Sequence, residues 1–320
     1  MKNSKIKVFQ VDKESVRIDH YLSSKIDDIS RTKIKKLILD EKVLVNQAPV
    51  KPSYILSEGE TISCDLELAV LEDSTLNAEE MDLDIIYEDD YFVVINKPAG
   101  LVVHPGNGNE SSTLANGLLY HFKKLSDTDS SRPGIVHRLD KDTSGIIIVA
   151  KDNRTHQLLS DLFQNRKINK SYQAIVWGEP ENRGIIKNLI KRDIRNKTAF
   201  KVSSVEGKEA ITKYELLDSY GPLSSILLYP KTGRTHQIRV HMKHIGNPIL
   251  ADDKYSGGIQ KIKSFHTDYA QLLKRTFKIA TRQMLHASSI SFIHPMTNKK
   301  MSFSADIPLD MKKVIKLWMK

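Results

Sequence analysis

His137-Arg138-Leu139-Asp140-Lys141-Asp142-Thr143-Ser144-Gly145 is followed at once by Ile146-Ile147-Ile148-Val149-Ala150. The second run is short, continuous and β-branched, which reads as a buried strand. The first is a polar turn that sets an acid, Asp140, among cationic neighbours. A carboxylate at the rim of a rigid sheet can serve as nucleophile, base or metal ligand. Outward from this turn the chain carries many short strands and few, unevenly placed helices. Strands are expected at 84–87 and 91–96 as a hairpin, then at 172–177, 210–217, 225–229 and 286–293. Helices are expected at 113–124, 154–166, 235–245 and 309–318. That pattern predicts an α+β protein with a mixed or antiparallel central sheet.

The length of 320 residues, 40% of them hydrophobic, supports one large domain or two unequal ones. No stretch approaches the roughly 20 apolar residues of a membrane span. Cys64 is the only cysteine, so disulfide scaffolds and cysteine-cluster zinc sites are excluded within the chain and a cytoplasmic setting is expected. Charge is unevenly spread. Residues 1–66 carry 12 Lys/Arg against 10 Asp/Glu, and residues 67–96 carry 10 acids and no base. Residues 97–320 carry 37 bases against 19 acids, the balance of a chain that binds a polyanion.

Residues 14–66 read as a separate module. Ser30 is placed to cap a helix running to about Asp40, with Ile34, Leu37 and Ile38 on one side and Arg31, Lys33, Lys35 and Lys36 on the rest. A strand and turn follow at 42–47, another turn and strand at 59–64. Arg17-Ile18-Asp19, Ser30-Arg31, Val43-Leu44-Val45-Asn46 and Gly59-Glu60-Thr61-Ile62 together resemble the S4 RNA-binding domain, with Ile18 and Glu60 as conservative departures. That resemblance makes Arg31 and Lys35 candidate RNA contacts. The acidic stretch 67–82 is expected to be a linker, and 83–320 a second domain.

Two further stretches complete the reading. Lys170-Ser171-Tyr172 opens the apolar strand Gln173–Trp177. Thr232-Gly233-Arg234-Thr235-His236-Gln237-Ile238-Arg239 crowds cations onto the first turns of a helix, where the helix dipole disfavours them, so they need an anion to meet. With the Asp140 turn, these stretches resemble the three motifs of the RluA/RluD-type pseudouridine synthases, in order and across nearly the whole chain, from Arg17 to Pro295. The resemblance implies a pseudouridine synthase fold preceded by an S4-like domain. It implies an isomerase that converts specific uridines in RNA to pseudouridine, needing no cofactor and no metal. The likeness to the RluD type suggests a large-subunit, 23S-type ribosomal RNA as partner, no membrane, and a bacterial monomer. A tRNA-directed synthase and a non-catalytic ribosome-assembly or RNA-binding factor are the alternatives.

The resemblance also assigns roles. Asp140 is the essential aspartate, acting at C1′, at C6 or through a glycal route by removing the 2′ proton. Arg239 pairs with it and keeps it ionised. Tyr172 stacks on the flipped base and is the proposed proton acceptor. Ile238 packs beneath the base. Arg138 fills the gap left in the RNA or binds phosphate, and His137, Arg234, His236 and Gln237 hold the turn or meet the substrate. The basic run 187–201 is a candidate backbone grip. Ala251-Asp252 stands where the family usually has Gly-Asp, a change expected to alter a turn and touch no catalytic atom.

Overall fold

The computed structural model describes residues 6–12, 16–26, 31–65, 76–106, 109–128, 132–196 and 198–319. The first module is a four-stranded sheet with two helices. Its strands are β1 (Ile6–Gln10), β3 (Val43–Val45), β4 (Ala48–Pro49) and β6 (Thr61–Asp65), in the order β1-β6-β3-β4. A small pair joins β2 (Val16–Arg17) to β5 (Ile55–Leu56). Helices α1 (Ile18–Lys25) and α2 (Arg31–Leu39) turn Ile18, Leu22, Ile34 and Ile38 inward, and these pack with Val43, Ile62 and Cys64 in a core of their own. The module begins earlier than position 14, because Ile6–Gln10 pairs along its length with Thr61–Asp65. Its sequence gave no alternating signal: every β1 position but one is exposed, as on an edge strand. The expected cap Ser30 lies outside the described residues.

The second body is a ten-stranded sheet. In chain order its strands are β7 (Ile85–Glu88), β8 (Phe92–Lys97), β9 (Ser144–Ala150), β10 (Asn169–Trp177), β11 (Arg183–Arg192) and β12 (Phe200–Ser203). They continue with β13 (Lys208–Ser219), β14 (Leu223–Pro230), β15 (Leu285–Ile293) and β16 (Lys300–Ser304). The spatial order is β12-β11-β13-β14-β10-β15-β9-β8-β7, with β16 beside β15. The described pairs are antiparallel except β9 with β15. Helices α3 (Leu114–His121), α4 (Asn153–Gln164), α5 (Gln237–His244), α6 (Thr267–Ile279) and α7 (Leu309–Trp318) cover the sheet. The expected α+β class and mixed sheet are what the structure contains.

All seven residues of β9 are buried, as the β-branched run required. The parallel junction sets Ser144 and Gly145 against His286 and Ala287. Gly145 has φ +110°, and a Cβ there would meet the Ala287 carbonyl oxygen at 2.2 Å, so only glycine lets the strands close at this point. The second half of the expected linker, 76–82, is not free. Glu79 accepts hydrogen bonds from Ser112, Asn116 donates to the Asn77 carbonyl at 2.8 Å, and Leu76 packs against the core beneath α3. The negative run there is anchored because its backbone and Leu76 find partners that its net charge does not reveal.

Candidate active site

Asp140 lies in the turn that enters β9, and each of its neighbours is tied down. Leu139 is buried. The Lys141 carbonyl accepts from the Gly100 backbone at 2.9 Å and from Lys97 Nζ at 3.0 Å. Lys97 is fully buried and also donates to the carbonyls of Pro98 (2.7 Å) and Leu101 (2.9 Å), three acceptors for the three donors of an ammonium group. Burial brings its pKa down to about 7. Arg282 donates to the Asp142 carbonyl, and Gln283 to the Thr143 hydroxyl at 2.8 Å. The carboxylate is thus presented by a turn with little freedom.

Arg239, on the first turn of α5, donates from Nη1 to Asp140 Oδ2 at 2.9 Å. The other side of its fork is taken by Asp252, at 2.7 Å from Nε and 2.8 Å from Nη2. Its guanidinium lies 4.9 Å from the centroid of the Tyr255 ring. Burial opposes the charge on Arg239, but the hydrogen bonds and charges of Asp252 and Asp140 hold its pKa above the ordinary value. This arginine is the cation whose placement at a helix start called for an anion. It has two.

His236 precedes α5 in a left-handed conformation, φ +55°. The Tyr255 hydroxyl accepts from the Phe200 backbone N–H at 2.9 Å and shares a hydrogen bond of 2.7 Å with His236 Nδ1. His236 Nε2 is 3.8 Å from Asp140 Oδ2. Burial lowers the His236 pKa in spite of the Asp140 charge, so the ring is neutral at neutral pH. Tyr172 stands on β10, two strands from β9, and lines the same cleft, of about 580 Å³, as Asp140, Ile238 and Arg239. Burial first, and the Asp140 charge second, raise its pKa. It is therefore a phenol in the free site.

The remaining candidates separate into two groups. Arg138 is exposed at the cleft beside Asp140, with no ion-pair partner among the described residues. Ile238 is buried between cleft and core. His137, by contrast, receives the Ile148 backbone N–H at its Nε2 (2.9 Å) and packs on Phe163. Burial takes its pKa down to about 3, so it is a neutral tether of the turn to β9 and not an RNA cation. Gln237 is also structural. Its Oε1 accepts from Thr232 and from the Arg234 backbone, and its Nε2 donates to the Ile211 carbonyl and Thr212 hydroxyl. Arg234 Nε is spent on the Glu209 carbonyl at 3.0 Å. In the first module Lys35 lies 3.6 Å from the buried Asp19, which Arg17 also engages, while the Arg31 side chain lies outside the described residues.

Asp252 and Tyr255 are the residues that sequence reading missed. Asp252 was visible after Ala251 but was judged remote from the chemistry. The substitution itself matters locally, since Ala251 adopts φ +61°, a conformation that glycine takes without strain.

The family model for RNA pseudouridylate synthases matches residues 91–244, and that for the S4 domain matches residues 16–62. An uncharacterized RNA pseudouridine synthase of Chlorobaculum parvum is 41% identical over 310 residues, covering 94% of this chain and 93% of its own. Ribosomal large subunit pseudouridine synthase D of Escherichia coli (strain K12) is 36% identical over 302 residues, covering 94% and 90%. Among solved structures, human RNA pseudouridylate synthase domain containing 1 superposes with TM-score 0.56 at 25% identity, over 74% of this chain and 88% of that one. The fold and these likenesses together define an RNA-modifying isomerase. The chain belongs to the RNA pseudouridine synthase family, with an S4 domain ahead of the catalytic domain.

Proposed function

We propose that this enzyme acts on large-subunit ribosomal RNA, converting specific uridines to pseudouridine with Asp140 as its essential group. The observation that carries the catalytic assignment is the Asp140–Arg239–Asp252 bridge at 2.7–2.9 Å on the wall of a cleft that also presents Tyr172 and Ile238. The ribosomal assignment is supported by the relatives called ribosomal large subunit pseudouridine synthase D.

The reaction breaks the bond from C1′ to N1, turns the uracil, and joins C1′ to C5. The C5 proton leaves and N1 ends with a proton, so the change is an isomerisation with no net redox step. The uridine must leave its stack, at a cost of a few kcal/mol. Tyr172 and Ile238 offer faces for the flipped ring, and Arg138 stands at the mouth to occupy the gap. Arg239 offsets the charge of Asp140 in the free site and leaves one carboxylate oxygen free of that bond. Asp252 keeps the arginine from following Asp140 when the carboxylate engages the nucleotide. The enzyme works as a monomer in the cytoplasm, where ribosomal RNA is accessible. Arg192 at the end of β11 and Arg195 on the connection to β12 serve as contacts to the RNA backbone.

Release of tritium from [5-³H]uridine tests this reading. Purified protein should release it from large-subunit rRNA transcripts and not from tRNA, and Asp140→Asn should release none while still binding RNA. Release from tRNA alone would overturn the substrate assignment, and full release by Asp140→Asn would overturn the catalytic one.

A further inference from the structure

Lys170 is a cation of the cleft to which the described residues bring no anion. It stands two positions before Tyr172 on β10, so both side chains leave the same face of the strand, and both line the cleft. Its ammonium lies 5.7 Å from the centroid of the Phe163 ring. It also faces the exposed turn at Gly233, where an added Cβ would sit 3.9 Å from Nζ. Its neighbour His137 is neutral and offers no charge. The acids around the cleft are engaged elsewhere: Asp140 and Asp252 by Arg239, and Glu209 by Arg166 and Lys187, each at 3.5 Å. Burial lowers the pKa of Lys170, and no nearby carboxylate offsets it. The Phe163 ring meets this ammonium on one side, and no carboxylate among the described residues neutralises it.

We propose that Lys170, at the Gly233 turn, forms a phosphate subsite that grips the RNA backbone next to the target uridine while Asp140 works at the sugar. The proposal rests on the isomerase reading above and names how that site holds its substrate. Uracil is neutral, and the anionic group a nucleotide carries is its phosphate. With the base against Tyr172 and the sugar at Asp140, a flanking phosphate is the group left for the basic end of the cleft. Lysine meets phosphate as a compact point charge, needing no fork geometry. A cation here also separates the RNA backbone from the repulsion of Asp140.

The test uses substrate RNAs in which the linkage 5′ or 3′ of the target uridine is a normal phosphodiester or a neutral methylphosphonate. Wild type, Lys170→Met and Lys170→Arg are compared by Kd, KM and kcat. One of the two methylphosphonates should weaken wild-type binding about ten-fold. Lys170→Met should bind normal RNA as weakly as that, show no further loss with the methylphosphonate, and lower the log–log salt slope by about one. Lys170→Arg should recover part of the affinity. Thermal unfolding of Lys170→Met should occur at or above the wild-type temperature. Equal methylphosphonate penalties in wild type and Lys170→Met, or no penalty at either linkage, would overturn the proposal. So would a loss of thermal stability in Lys170→Met that Lys170→Arg restores, since that marks a structural lysine. Failure of the isomerase reading looks different: wild type then forms no pseudouridine on the unmodified RNA.

Discussion

Arg239 occupies a position at which one lost hydrogen bond changes chemistry more than folding. In Asp252→Asn the fork keeps a neutral acceptor but loses the charge that holds it back from Asp140. Turnover should fall about 10- to 100-fold, the worth of a charged hydrogen bond, with RNA binding unchanged in a filter assay. Ala251→Gly next door should instead stabilise the protein by about 1 kcal/mol in urea unfolding, because glycine takes φ +61° without a Cβ clash. His137 gives a pH signature. Burial holds its pKa at about 3, against about 6.5 for an exposed ring. Between those values the unfolded chain binds a proton that the folded ring refuses, so this contribution to stability is present above about pH 6.5 and is lost as pH falls. His137→Gln should remove about 2 kcal/mol of the stability difference between pH 7 and pH 5. Asp140 and its pairing with Arg239 were legible because each sits in a contiguous motif. The role of Asp252 was not, because it depends on which way the guanidinium fork turns, and no spacing in the chain records that.

At the level of elements, strands that are buried on both faces announced themselves and strands of mixed burial did not. β9 is uniformly apolar and buried, and was read directly. β11 mixes Lys187, Lys191 and Arg192 with isoleucines at positions of uneven burial, a pattern that reads as a basic grip over 187–201 and did not mark a ten-residue strand. Helix α6 was not anticipated either. Leu273 and Thr276 of that helix are fully buried, with Leu272 and Phe277 partly so, a one-sided helical spacing as marked as that of α4, so this helix was legible in the chain and was passed over. The basic hairpin it shares a domain with supplies a test. In β11, Arg192 packs over the Phe200 ring at 5.6 Å, and Arg195 follows it on the exposed connection to β12. Replacing both by alanine should weaken RNA binding, reduce the salt slope by about two, and leave the single-turnover rate of bound RNA unchanged. An unaltered salt slope would remove this hairpin from the RNA interface.

On the scale of the whole molecule, the S4 module and the catalytic body each own a hydrophobic core, and no residue belongs to both. A chain of 76–320 should therefore fold cooperatively on its own, retaining Leu76 and the Glu79–Ser112 clasp. It should keep the single-turnover rate and show a raised KM for long RNA. The net positive charge of residues 97–320 was legible as a polyanion-binding surface, and the structure adds that its acidic forerunner 76–82 is fastened to the catalytic body. The central claim is that this body isomerises uridines in ribosomal RNA through Asp140. The direct test is a pseudouridine map of ribosomal RNA from cells lacking the protein, rescued with wild type or with Asp140→Asn. Large-subunit sites should vanish on deletion, return with wild type and stay absent with Asp140→Asn. A map that deletion leaves unchanged, or that Asp140→Asn restores in full, would contradict the account.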